Sequence, residues 1–314
     1  MSTTKKYSLF ALCFSLVLMI TGGCSFCPQK ASSLSSEQYL PIVNHLFSIC
    51  DLPQVENREE LVEVSSSLFL TREQRMSRNF EPISLKDGHE FYNDLSLLRM
   101  TQVVPAYAAT YESAVILGGM LPAIRHRLDF LIREWQRGVR FKKIVFLSGK
   151  RERYSEVETR EHFFDSRFNV FPVDPSWREE DHEVPSSEDG IARFVWEQMQ
   201  VPSEWRDPQS GVQAVFLEAN PSEGNTFGSR NDTLNLFKSY HGDSSGRVLF
   251  VSSQPFIHLD RCRITNFFDK QTCDVSGPGF SQVVLLQDWA PRMCLHGLAA
   301  WVHETNGHLN ISQE

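Results

Sequence analysis

Short apolar runs that each break into glycine or small polar residues, and each lead into a helix-like stretch, constrain this chain more than any other feature. Residues 113–117 end in Gly118 and Gly119, and residues 143–147 end in Ser148, Gly149 and Lys150. The run 212–218 closes on Glu218, and the run 247–253 ends in Ser252, Ser253 and Gln254. Between them lie stretches of helical period. Residues 125–138 carry Ile124, Leu128, Leu131, Ile132 and Trp135 on one face and stop at Gly138. A helix is expected from Ser155 and Glu156 to about Phe164, another from Ser187 or Glu188 to Gln200, and another over 229–240, containing Asn231. Helices over 256–268 and 291–303 and a last strand over 281–286 complete the pattern. Short buried-strand runs alternating with longer amphipathic stretches mark βαβ units. The expected fold is α/β, a Rossmann-like doubly wound, mostly parallel sheet of five or so strands.

In such a sheet ligands bind at the carboxyl ends of the strands. The polar residues that follow the strands are therefore the candidate site: Gly118, Gly119, Ser148, Gly149, Lys150, Glu156, Glu218, Asn225, Thr226, Asn231, Gln254 and Arg261. Glycines let backbone N–H groups approach an anion, and Lys150 and Arg261 supply positive charge for a phosphate. Glu218, ending an apolar run, is the candidate general base; Glu218 or Glu156 would otherwise hold a sugar hydroxyl. Asn225, Thr226 and Gln254 would orient the ligand. The same residue types also serve as helix caps and loop polars, and Glu218 also reads as a structural carboxylate accepting backbone N–H bonds. His258 is the one histidine near these strand ends, and packing is its more ordinary role.

Several classes of site are missing. The glycines do not form GxGxxG, and no GxxxxGK[ST], GxSxG or HExxH motif occurs. No pair of cysteine pairs suits zinc, so no metal is expected. A net charge of −8 argues against a nonspecific nucleic-acid binder.

The amino terminus points to the cell envelope. Lys5 and Lys6 precede an apolar run over 7–20, then Thr21, Gly22, Gly23 and Cys24. A basic start, an apolar core and small residues before a cysteine read as a lipoprotein signal, with Cys24 lipidated. The alternative is an uncleaved anchor, for which the run is slightly short. Either places the remainder outside the cytoplasm at a membrane. Residues 25–35 read as a tether, 36–111 as a helical lead-in and 112–314 as the main domain. Its insertion over 165–187 holds Pro172, Pro175, Pro185 and the charged run 178–183, and reads as exposed. In an oxidising compartment some of Cys50, Cys262, Cys273 and Cys294 could pair.

The order of motifs over 112–286 resembles the YdcF/SanA/ElyC-like group of bacterial envelope-associated proteins. It is carried by Leu117-Gly118-Gly119, Arg127-Leu128, Ser148-Gly149, Ser155-Glu156, Glu218, Asn225-Thr226, and Gln254-Pro255-Phe256 followed by Arg261. The chain departs from that group at Lys150, where a second glycine is usual. It departs again after Thr226, where Asn231 follows late. The group's acidic residue before the first strand corresponds to Glu112, shifted by one. The resemblance implies a Rossmann-like fold and a role in maintaining the cell wall or outer-membrane barrier. One branch of the group binds S-adenosylmethionine, which makes that molecule a candidate cofactor; no reaction is implied.

Two classes of function follow. In the first, the protein binds a phosphorylated or nucleotide-like envelope metabolite and acts as a hydrolase or transferase. In the second, it is a non-catalytic binding or scaffolding lipoprotein that contacts another envelope protein through the lead-in or the insertion. A deep polar pocket with Glu156, Glu218 and Arg261 would favour the first; a filled crevice with Arg261 paired to Glu218 would favour the second.

Overall fold

Alternation along the strands places one set of side chains on each face of a sheet, and here both sets are apolar. A computed structural model describes residues 36–70, 83–155, 158–209, 211–242, 244–280 and 288–309. The stretches expected as signal and tether, Cys24, Glu156 and the strand expected over 281–286 lie outside the described residues. Among the described residues no helix is long and apolar enough to cross a membrane.

The lead-in forms α1 (Ser36–Ile49), α2 (Arg58–Phe69) and α3 (Gly88–Leu97). The α/β part follows as β1 (Thr110–Leu117), α4 (Leu121–Gln136), β2 (Arg140–Gly149), α5 (Arg160–Phe164), α6 (Glu188–Gln198), α7 (Ser203–Arg206), β3 (Gln213–Ala219), α8 (Arg230–His241), β4 (Val248–Val251), α9 (Ile257–Ile264), β5 (Cys273–Ser276) and α10 (Ala290–Glu304). The strands form one parallel sheet in the order β3-β2-β1-β4-β5. The expected doubly wound α/β fold is thus present, with its topological switch between β1 and β4.

Local chemistry explains the helix boundaries. α4 starts with Pro122 in its first turn, where the missing N–H is not needed, and stops at Gly138, whose φ of 108° suits only glycine comfortably. Asn57 caps α2, Asp87 caps α3 and Ser187 caps α6 through side-chain oxygens. Ser229 and Asp232 form a reciprocal capping box at α8.

The sheet is covered on both faces. Ala114, Ile116, Ile144, Phe146, Leu249 and Val251 pack under α4 and α6, against Leu128, Leu131, Ile191, Phe194 and Val195. The alternate residues Val115, Leu117, Val145, Leu147, Val248 and Phe250 pack under α8 and α9, against Leu234, Phe237, Ile257 and Ile264. Each such side chain gains about 1.5–3 kcal/mol from burial, so the three-layer arrangement is the dominant stabilising term. A third core joins the lead-in to α10: Tyr39, Phe47, Leu61, Phe91 and Leu95 surround Cys294, Leu298, Trp301 and Val302.

Three expectations are corrected. The helix expected from Ser155 begins only at Arg160. A strand at Cys273–Ser276 was not anticipated; four residues of mixed polarity carry too little period to reveal it. The insertion keeps its charged run in solvent but is not simply exposed. Phe171, Trp177 and Val184 turn inward onto the α4–α6 side, and Trp177 stacks on Phe164 and His182. Buried Arg125 ties this segment down, donating to the carbonyls of His162 at 2.9 Å and Phe163 at 2.9 Å and to Gln198 Oε1 at 2.6 Å. Cys50, Cys262, Cys273 and Cys294 are all unpaired.

His258 illustrates how the lead-in is anchored. It is 4 % exposed, stacks on Trp301, and its Nε2 lies 3.2 Å from the Arg99 carbonyl. Burial, reinforced by Arg261, drives its pKa down from 6.5 to about 3. The unfolded chain therefore takes up a proton near pH 6.5 that the folded one refuses. Stability from this group is complete above pH 6.5 and falls by about 1.4 kcal/mol per pH unit on descending towards pH 3. Urea unfolding of the wild type between pH 7 and 4 should show that slope, and His258→Gln should lack about one proton's worth of it. Equal slopes in the two proteins would show that His258 is not held neutral.

Candidate functional site

The carboxyl ends of β1, β2 and β4 are level. Leu117 pairs with Leu147, and Ile116 pairs with Val251, so the loops beyond these strands emerge side by side. A cleft of about 470 Å³ opens above them. Its floor is Gly118, Gly119 and Met120 after β1, and Gly149, Arg151 and Tyr154 after β2. One wall is the β3–α8 connection, with Phe227, Gly228, Ser229, Arg230 and Thr233; the other is α9 and α10, with Asp260, Arg263, His296 and His303.

Arg127 of α4 lies at the centre. It is 5 % exposed, and Nη1 donates to the carbonyls of Leu117 at 2.5 Å and Gly118 at 2.8 Å. Nη2 donates to Ser253 Oγ at 3.0 Å, so one guanidinium joins the ends of β1 and β4. Its Nε has no partner, and no carboxylate lies within ion-pair distance of it among the described residues. Burial, with Arg230 nearby, lowers its pKa to about 10, which still leaves it charged near neutrality. Asp260 and Glu188 offset part of its charge at longer range, but neither touches the guanidinium directly.

The other arginines of the cleft are paired. Arg151 is bound by Glu188 through Nε, lies 3.6 Å from Glu158, donates to the Gly119 carbonyl at 2.8 Å and stacks over Tyr154. Arg230 Nε lies 3.2 Å from Asp260, whose other oxygen accepts from Ser252 Oγ at 2.6 Å. Arg263 Nε donates to Glu304 at 2.8 Å. Glu188 is 7 % exposed and accepts from the Gly149 N–H at 3.3 Å. Burial raises its pKa, against the opposing pull of Arg151.

Close backbone approach explains the glycines. A Cβ on Gly118 would fall 1.9 Å from Glu188 Oε1. One on Gly149 would fall 2.4 Å from the Gly228 carbonyl, and one on Gly228 would fall 2.5 Å from the Ala219 carbonyl. The end of β2 and the β3–α8 loop therefore meet backbone to backbone.

The sequence-derived candidates divide. Gly118, Gly119 and Gly149 line the cleft. Ser148 is buried beside it with an unpartnered hydroxyl. Lys150 is exposed and points to Asn220, 3.5 Å away. Glu218 is exposed on edge strand β3 and is not among the cleft residues, so its expected role as general base is not supported by its position. Asn225, Thr226 and Asn231 are exposed, flanking the residues that do face the cleft. Gln254 is buried but turned away, donating to the carbonyls of Arg99 and Gln102 at 2.9 Å each, where it fastens the lead-in. Arg261 donates to the Val275 carbonyl at 3.0 Å and supports β5; burial lowers its pKa. Glu156 lies outside the described residues. Glu112 sits near the amino end of β1, away from the cleft, bound to Lys142 at 2.8 Å.

Sequence reasoning missed Arg127, Arg151, Glu188, Arg230 and Asp260 as site residues. Two had a signal. Arg127 interrupts the apolar face formed by Ile124, Leu128 and Leu131, and Arg230 puts a cation at a helix N-terminus, where the dipole disfavours it. Glu188 had none, because an acid in the first helical turn is ordinary.

No family model, no curated protein and no solved structure matches the chain.

Gly118→Ala should cost about 1–3 kcal/mol by urea unfolding, since the methyl group must displace the Glu188 carboxylate. Gly88→Ala, whose new atom meets nothing nearer than 4.0 Å, is the control and should not destabilise. Equal stability of the Gly118 variant and wild type would place Glu188 elsewhere.

Proposed function

We propose that the protein binds a phosphorylated or nucleotide-like small molecule in the cleft at the β1–β4 switch point, held at the cell envelope by its amino terminus. The observation that carries this reading is Arg127, a buried guanidinium at the cleft floor with no carboxylate partner. Four arginines and two carboxylates line the cleft, and Glu158 and Glu304 behind it bring the charges to balance, so the preference for an anion rests on Arg127, which has no direct carboxylate partner among the described residues. The volume of about 470 Å³ lies within the usual range for small-molecule sites. The likeness of motif order to the YdcF/SanA/ElyC-like group is consistent with the same crevice and an envelope setting.

Turnover, as a hydrolase or transferase, would use a cleft carboxylate rather than Glu218. Glu188 is the better placed proton acceptor, because it lines the cleft at the end of β2 and burial raises its pKa above that of an ordinary carboxylate. Both Glu188 and Asp260 are held by arginines, which suits them equally to hold sugar hydroxyls. Binding without turnover, in a scaffolding lipoprotein, is the second reading. An open rather than filled crevice speaks for a ligand in either case.

A thermal-shift panel on the full-length protein tests the site. Pyrophosphate, nucleotides, nucleotide sugars and S-adenosylmethionine would be compared. A ligand at about 100 times its dissociation constant adds roughly 2.7 kcal/mol of stability. The shift given by phosphorylated ligands should disappear in Arg127→Gln and in Arg230→Gln, and persist in Glu218→Ala. Loss in Glu218→Ala with retention in Arg127→Gln would move the site to the β3 edge. A shift with S-adenosylmethionine that survives Arg127→Gln would remove the phosphate requirement.

A further inference from the structure

The β3–α8 connection places a hydrophobic ring beside the cationic floor. Phe227 lines the cleft yet is 48 % exposed, and no ring contact involves it among the described residues. Backbone contacts on either side hold it in place. Gly228 next to it is held by backbone: its N–H donates to the Lys150 carbonyl at 3.1 Å, and its missing Cβ leaves room for the Ala219 carbonyl. On one side Asn225 N–H closes a turn onto the Ser222 carbonyl at 3.1 Å, and on the other Ser229 enters the capping box of α8. A half-exposed phenyl group is thus fixed at the cleft mouth by its neighbours, at the cost of leaving apolar surface in water.

The same loop carries its cation three residues later. Arg230 and Phe227 both line the cleft, within an extended-chain reach of roughly 10 Å. A ring and a guanidinium lining one cleft, no further apart along the chain than that reach, suit a ligand with a planar ring at one end and a phosphate at the other. Glu188 and Asp260, the two carboxylates in the cleft lining, are acceptors for hydroxyl groups of such a ligand.

Resting on the anion-binding reading above, we propose that Phe227 is the stacking platform for a nucleobase, so that the cleft takes a nucleoside phosphate rather than a simple phosphate ester. Stacking on an aromatic face tolerates any base, so the platform selects for a base without selecting which one.

Isothermal titration of the full-length protein with pyrophosphate, adenosine diphosphate and octyl phosphate separates the alternatives. Adenosine diphosphate should bind at least about tenfold more tightly than pyrophosphate, within the 5- to 150-fold that about 1–3 kcal/mol of stacking represents. Phe227→Ala should remove that gain and leave pyrophosphate binding unchanged, and Phe227→Trp should keep it. Equal wild-type affinities for adenosine diphosphate and pyrophosphate would overturn the stacking role while leaving the anion site standing. So would a Phe227→Ala variant that weakens pyrophosphate equally, because the residue would then be structural. A gain for octyl phosphate equal to that for adenosine diphosphate would assign Phe227 to an apolar tail. Binding of none of the three would overturn the anion site itself.

Discussion

The guanidinium of Arg127 is the interaction on which the rest of the cleft depends. Removing an ion of that size from water costs several kcal/mol even after the protein relaxes. Hydrogen bonds from a charged group return about 1.5–3 kcal/mol each, and Arg127 makes three, to Leu117, Gly118 and Ser253. These bonds roughly offset the cost without neutralising the charge. They also fix geometry, since the turn after β1 and the end of β4 are tied to one rigid plane projecting from α4. The switch point of a parallel sheet would otherwise be a gap between diverging loops.

Around that plane the loops are assembled by backbone contact more than by side-chain packing. Gly118 admits the Glu188 carboxylate, and Gly149 and Gly228 admit each other. Glu188 then links three segments, accepting from Gly149 and pairing with Arg151, whose own Nη2 donates to Gly119. The result is a cleft floor in which Arg151, Arg230 and Arg263 each have a carboxylate at ion-pair distance, while Arg127 is held by hydrogen bonds to neutral groups. The pairs tie the loops together, and Arg127 is the cleft arginine whose guanidinium has no direct carboxylate partner among the described residues.

The architecture was legible because both faces of the sheet are buried, so each main strand shows as an unbroken apolar run followed by glycine or serine. β5 escaped notice because Cys273–Ser276 offers four residues of mixed polarity. The site was half legible. Glycines at strand ends mark close backbone approach wherever they occur, and Gly118, Gly119 and Gly149 indeed line the cleft. Polar side chains at strand ends carry no such direction. Glu218 falls on an edge strand and faces solvent, while Gln254 and Arg261 turn beneath the sheet's rim to bind carbonyls of Arg99, Gln102 and Val275. Which way a loop residue points depends on what its neighbours press against, and Gly228 against Gly149 rotates the loop so that Phe227 and Arg230, not Asn225 and Asn231, look inward.

The wall formed by α10 belongs to two structures at once. His296 and His303 face the cleft from α10, while Trp301 and Leu298 on the same helix are buried among α1, α2 and α3. Leu70, which ends α2, itself reaches the cleft, and His296 Nδ1 lies 3.0 Å from the Phe69 carbonyl. The lead-in is therefore not an appendage to a self-sufficient α/β domain. A ligand that touched this wall would contact α10 and Leu70 together, so it would favour the docked arrangement of the lead-in helices, and docking would favour the ligand to the same degree.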